Sequence, residues 1–222
     1  MLRTAAAVFV KSPGLSPVKT RLAARLGAEA ATQFYLLSCA AVEEVLQETV
    51  YLDLAFWALA EAEAEELPWW KNLPRVGQGD GSLGERLHHV YSSLARSGQA
   101  VLLLGADAPQ ISPDLLNEAV RRLQSGDFVI GPALDGGFYL FGGSKPIPSH
   151  IWTEVRYSEA DTCEQLCSRL KAYDDPGVSF LPPLRDVDEW EDLLSLKDGW
   201  RHNPPPLPAQ RRLQEWCESV LR

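Results

Sequence analysis

The sequence predicts an α/β protein: a mostly parallel sheet covered by helices on both faces. Three observations carry this. Short apolar runs such as Thr4 to Val10 and Ala100 to Leu104 are continuous, as in strands buried on both sides. Segments with 3.6-residue periodicity separate them. The two kinds of segment alternate along 222 residues, with no internal repeat.

The elements follow in order. Thr4 to Val10 reads as a buried strand. Ser16-Pro17 offers a hydroxyl cap with proline at the first helical position, and Gly27 suits the stop. Glu29 to Leu46 reads as a helix with Ala31, Phe34, Tyr35, Ser38, Val42 and Val45 along one stripe. Val50 to Leu59 is a buried strand, Ala60 to Glu66 a short acidic helix, and Arg75 to Gly77 a short strand. Gln78-Gly-Asp-Gly81 is a loop with Asp80 as a turn residue. Ser82 and Glu85 form a capping box for a helix to Ser97. A strand at Ala100 to Leu104 precedes a Ser112-Pro113 cap and a helix to Gln124. Strands follow at Asp127 to Ile130 and Phe138 to Phe141. Glu159 to Tyr173 is a helix, Val178 to Leu181 a strand, and Glu189 to Lys197 a helix. Asn203 to Pro208 is proline-rich and either extended or turn-like, leading to a terminal helix at Ala209 to Leu221.

Composition excludes some classes. A formal charge of −9 argues against nucleic acid as a partner. No run of 18 apolar residues is present, and Lys11 and Pro13 end the first apolar stretch, so neither a membrane span nor a signal peptide is expected. Four cysteines lack CxxC spacing. Cys163 and Cys167, four apart, share a helix face and read as packing before zinc. A reducing, cytoplasmic setting fits.

The chemistry concentrates at strand ends. Lys11-Ser-Pro-Gly-Leu-Ser-Pro-Val-Lys-Thr-Arg21 follows the first strand, but it lacks the second glycine and the spacing of a P-loop and has no GxGxxG. It remains a basic Pro/Gly loop at a helix start, where backbone N–H groups favour phosphate. If the helix begins at Pro17, Lys19 and Arg21 face different sides. Either the loop stays irregular past Lys19 or one cation is structural. Asp107 follows a buried strand and can ligate Mg²⁺ (or Mn²⁺) or cap a turn. Asp186 and Asp188 alternate, so an extended chain turns both one way, although Asp188 also suits an N-cap. Asp135, followed by Gly136-Gly137 between two apolar runs, suits either a turn or a pocket where a ligand approaches backbone closely and meets one acid. His88-His89 has no ligand-spaced partner. Trp69, Trp70 and Trp152 are candidates for an acceptor pocket, with Trp69-Trp70 reading also as a packed edge.

Five stretches in this order resemble the DUF2064 family, also called selenodomain-associated transferase 1, of the GT-A-like nucleotide-diphospho-sugar transferase superfamily. They are Phe9-Val-Lys-Ser-Pro-Gly14 with Val18-Lys-Thr-Arg-Leu22, Leu83-Gly-Glu-Arg86, Gly105-Ala-Asp-Ala-Pro109, Gly131-Pro-Ala-Leu-Asp-Gly-Gly-Phe-Tyr-Leu140, and Asp186-Val-Asp188 with Glu191-Asp192-Leu193. The resemblance implies a Rossmann-like GT-A sandwich over residues 1–196, with residues 197–222 packing on it as a Pro-rich segment and short helix. It implies nucleotide binding by Val10, Lys11, Ser12, Pro13, Gly14, Lys19, Arg21, Arg86 and Ala106. The metal would fall to Asp107 and Asp188, and the acceptor to Asp135, Gly136, Gly137 and Tyr139. Lys19, Arg21, Asp107 and Asp135 would carry catalysis.

A single acid in Gly-Ala-Asp-Ala-Pro, where GT-A glycosyltransferases commonly carry Asp-x-Asp, points to metal-dependent nucleotidyl transfer. The expected donor is a nucleoside triphosphate, and the expected acceptor a small molecule that can itself carry a phosphate. Glycosyl transfer from a nucleotide-sugar is the alternative, and a non-catalytic nucleotide-binding regulator the second.

Overall fold

The structure is a computed structural model and describes residues 2–95, 98–126, 128–174, 177–203, 205 and 207–221. In chain order the elements are β1 (Thr4–Val10), α1 (Thr20–Leu26), α2 (Ala28–Gln47), β2 (Leu54–Leu59), β3 (Arg75–Gly77), α3 (Leu83–Ala95), β4 (Ala100–Gly105), α4 (Pro113–Gln124), β5 (Phe128–Pro132), β6 (Phe138–Gly143), α5 (Ser149–Thr153), α6 (Thr162–Asp174), β7 (Val178–Phe180), α7 (Trp190–His202) and α8 (Pro208–Val220). Two 3₁₀ turns, Ala62–Glu66 and Pro68–Trp70, lie between β2 and β3. The expected strand start at Asp127, the helix end at Arg96 and Ser97, and Pro204 and Pro206 of the extended segment lie outside the described residues.

The seven strands form one sheet in the order β3-β2-β1-β4-β6-β5-β7. All pairings are parallel except those of β6, which runs antiparallel to both β4 and β5. This reversal matters for the site. It brings the start of β6 to the edge where β1, β4 and β5 end, together with the turn at 133–137. The bridge between Ala133 and Leu184 draws the segment after β7 to the same edge.

Alternate strand residues feed two cores. On one face Ala6, Val8, Val10, Leu102 and Leu104 pack with Tyr35, Cys39, Val42 and Val45 of α2 and Leu116, Ala119 and Val120 of α4. On the other, Ala7, Val101, Leu103 and Phe141 pack with α3, α5 and α6, where Phe141 and Trp152 meet edge-on at 4.8 Å. A third cluster joins Leu22, Phe34, Val187, Trp200, Leu213 and Trp216, so α7 and α8 form a further layer outside α1 and α2.

Several sequence expectations need correction. The first helix starts at Thr20, not at Pro17: Leu15 and Ser16 N–H both donate to Ser12 O, making a turn, and Lys19 is left-handed at φ 47°. The second strand starts at Leu54, not Val50, because Val50 is 80% exposed and Asp53 is spent closing the chain onto Thr4. The helix expected from Glu159 begins at Thr162, whose hydroxyl accepts from Glu159 N–H and donates to backbone carbonyl oxygen. α5 was not expected, and α7 continues to His202, five residues beyond Lys197. Its N-cap is Glu189, in a capping box with Asp192, not Asp188. The Ser82–Glu85 and Ser112 caps are as expected.

Candidate active site

A cleft of about 680 Å³ opens at the edge where β1, β4 and β5 end. Ligands in such sheets sit outside the carboxyl ends of strands where the order reverses. Here β1 has β2 on one side and β4 on the other.

At its floor is a buried cation. Lys19 Nζ lies 2.5 Å from Asp107 Oδ1 and 2.8 Å from Asp188 Oδ1, and donates to Val187 O at 2.6 Å. The Lys19 side chain is 3% exposed, whereas the two acids are 45% and 46% exposed. Burial works against the Lys19 charge, but Asp107 and Asp188 outweigh it and hold the ammonium well above the usual lysine range. The left-handed backbone at Lys19 aims it inward, just where the chain turns into α1. Bonds to backbone fix the segments that carry the two acids: Val187 N–H donates to Asp107 O at 2.8 Å, and Ser38 Oγ donates to Ala106 O at 2.5 Å.

The extended segment 185–188 faces two ways. Asp186 and Asp188 line this cleft, while Arg185 and Val187 line a second, of about 630 Å³, against α7 and α8. Asp186 Oδ1 is buried without a hydrogen-bond partner. Burial first, then Asp107, Asp135 and Asp188, push its carboxyl up to about 7.

The loop after β1 is tied from below. Tyr35 Oη donates to Lys11 O and accepts from Lys11 N–H, and Trp70 Nε1 donates to Ser12 Oγ at 3.0 Å. Glu61 accepts from Ser12 N–H, and Gln78 Nε2 donates to Val10 O and Ala58 O. Opposite, Asp135 Oδ1 accepts from Gly137 N–H at 2.9 Å, closing the turn. Gly136 O accepts from Cys163 N–H, and Tyr139 Oη donates to Pro182 O.

Of the residues expected to act, Val10, Lys11, Lys19, Arg21, Asp107, Asp135, Gly137, Tyr139 and Asp188 line the cleft. The others do not. Ser12 and Pro13 are buried beneath it, Ala106 is in the core, Gly14 lies on the exposed side of the loop, Gly136 supports the turn, and Arg86 donates to Gly81 O. Trp70 and Trp152 are fully buried in the two cores and line no part of it, so the acceptor-pocket expectation fails for them. Sequence reasoning missed Tyr35, Gln78, Tyr157, Ser158 and Glu159, all lining residues. Gln78 had a signal akin to that of Asp107: it is a polar residue directly after a strand, as Asp107 is two residues after one.

Asp107, Asp186 and Asp188 offer only oxygen donors, two of them half-exposed and one with an orphaned oxygen. That set suits a hard cation such as Mg²⁺ or Mn²⁺. Among the described residues no group of three His, Cys, Asp or Glu is arranged to hold a metal alone. Waters or substrate phosphates would complete the shell, as Mg²⁺ sites usually require.

The profile of the family described as "Uncharacterized protein conserved in bacteria (DUF2064)" matches residues 41–159. The chain belongs to this family. Among solved structures, a provisionally named nucleotide-diphospho-sugar transferase from Desulfovibrio desulfuricans G20 is similar over 100% of this chain and 98% of its own, at 27% identity and TM-score 0.88. Rv0371c from Mycobacterium tuberculosis H37Rv, in complex with manganese, covers 87% of this chain and 97% of its own at 16% identity and TM-score 0.52. CMP:2-keto-3-deoxy-manno-octonic acid synthetase complexed with CTP covers 90% and 99% at 10% identity and TM-score 0.54. The last two share the fold alone with this DUF2064 member. No curated protein matches. The fold of this DUF2064 chain is thus the Rossmann-like, GT-A-like sandwich expected from its motifs. No described helix is long and apolar enough to cross a membrane.

Proposed function

We propose that this chain is a metal-dependent transferase with a nucleotide donor, acting by nucleotidyl transfer from a nucleoside triphosphate to a small acceptor. The carrying observation is the pairing of Asp107 and Asp188 around Lys19 at the floor of a cleft whose cations, Lys11, Lys19 and Arg21, come from the loop after β1 and the first turn of α1. Similarity to a nucleotide-diphospho-sugar transferase and to a CTP-bound synthetase supports a nucleotide donor, and the manganese complex supports a divalent metal.

In this reading the basic loop holds the triphosphate, with Lys11 and Arg21 countering its charge. Asp107 and Asp188 would hold the metal, which supplies charge neutralisation at the donor phosphates. Asp135, with Oδ1 committed to Gly137, offers Oδ2 to the acceptor hydroxyl and takes its proton. The acceptor oxygen bonds to the α-phosphorus, the bond from that phosphorus to the β-phosphate oxygen breaks, and pyrophosphate leaves. Catalysis then rests on positioning and charge, without a covalent intermediate.

Glycosyl transfer is the second reading, favoured by the name of the 27% identical relative. Incubation with nucleoside triphosphates and nucleotide-sugars, with Mg²⁺ or Mn²⁺, separates the two by product. Pyrophosphate supports nucleotidyl transfer, and a released nucleoside diphosphate supports glycosyl transfer. Tight nucleotide binding without turnover would favour the regulator.

A further inference from the structure

The geometry points to Lys19 as a displaceable cation: its ammonium and a divalent metal compete for one seat between Asp107 and Asp188, and metal entry releases Lys19 toward the donor phosphates. The inference rests on the reading of these two acids as metal ligands. Three oxygens, Asp107 Oδ1, Asp188 Oδ1 and Val187 O, surround Nζ at 2.5 to 2.8 Å. They use all three N–H donors of an ammonium. The seat is built by the fold around it: Val187 N–H holds Asp107 O, and the Glu189–Asp192 capping box fixes the chain just after Asp188.

The two sides of the seat differ. Lys19 closes it from beneath, with 3% of its side chain exposed, while the acids are nearly half exposed. A metal bound to both acids would lie beside the ammonium, and like charges at that range repel strongly. Both cannot be held at full strength. The lysine stem has four rotatable carbons and a compact head, so it can leave where a planar guanidinium would not. It lines the same cleft as Lys11 and Arg21, so phosphates there offer the released ammonium a new partner.

The test uses the whole chain and the metal alone, with no nucleotide. Calorimetric titration with Mn²⁺ compares wild type with Lys19→Met, and ¹⁵N-lysine NMR follows the Lys19 ammonium in the wild type during Mg²⁺ titration. Lys19→Met should bind Mn²⁺ about tenfold or more tightly, as removal of one adjacent like charge gives. The protected Lys19 ammonium signal should vanish as Mg²⁺ saturates, and Asp188→Asn should abolish that response. Unchanged or weaker Mn²⁺ binding by Lys19→Met overturns the inference. So does an ammonium signal that survives Mg²⁺ saturation, or an absence of metal binding in both proteins. If Lys19→Met fails to fold, the wild-type NMR titration decides. Failure here leaves a nucleotide-dependent transferase with Lys19 as its permanent cation, whereas failure of nucleotide binding sinks the transferase reading and leaves this measurement untouched.

Discussion

Gly136 passes so close to Ala160 that a Cβ on it would lie 1.9 Å from the Ala160 carbonyl oxygen. The turn carrying Asp135 is therefore pressed against the segment before α6, and only glycine allows it. Gly136 also has φ +94°. Gly136→Ala should cost about 3 kcal/mol or more, since backbone must shift as well as adopt a strained angle. Gly14→Ala, at φ +91° with open space around it, should cost only about 1 to 2 kcal/mol. Urea denaturation of the two variants checks the difference.

The acid pair supports a charge that water scarcely reaches. Asp107→Asn with Asp188→Asn would leave the Lys19 ammonium uncompensated and should destabilise by about 3 kcal/mol, the low end for a broken buried pair because the acids are half exposed. Adding Lys19→Met should restore most of the loss. Denaturation midpoints of the double and triple variants read this directly, and a triple variant no better than the double contradicts it.

Asp186 sets a pH dependence. Its folded carboxyl is raised from 3.8 to about 7, so between these values the folded state keeps a proton that the unfolded chain has lost. Stability then falls as pH rises from about 4 to 7. Asp186→Asn should remove this slope, matching wild type near pH 4 and exceeding it at pH 8 by up to about 4 kcal/mol. Thermal melts across that range test it, and parallel curves for the two proteins would refute it.

Gln210 ties α8 to the loop between β4 and α4. Its Nε2 donates to both Pro109 O and Ile111 O, and the residue is 1% exposed. Gln210→Ala leaves two backbone carbonyls unpaired and should cost about 2 to 3 kcal/mol. Hydrogen exchange should show faster opening of α8 than of β1 or β4 in that variant.

Much of this architecture was legible because burial on both sheet faces writes continuous apolar runs. Thr4 to Val10 and Ala100 to Leu104 were found for that reason, and Asp107 stood out as the acid just beyond one of them. The alternation of Asp186 and Asp188 also survived, since an extended chain must turn alternate residues one way. Lys19 was harder. Ser16-Pro17 carries a strong local helix-start signal, and only tertiary ion pairing with Asp107 and Asp188, far along the chain, overrides it. Tyr35 lies in a helical stripe whose spacing marks burial, so its bonds to Lys11 left no local trace. Ser158, at φ 64°, carries no composition cue for its place in the cleft.

The position of β1 bears on how the chain reaches this state during synthesis. β1 lies mid-sheet between β2 and β4, and its partners run from Leu54 to Leu59 and from Ala100 to Gly105. Until the second of these leaves the ribosome, β1 has an unpaired edge and an apolar face with half its cover. Such edges invite association with other chains. Nascent chains stalled before residue 100 should therefore be the species that chaperones hold longest.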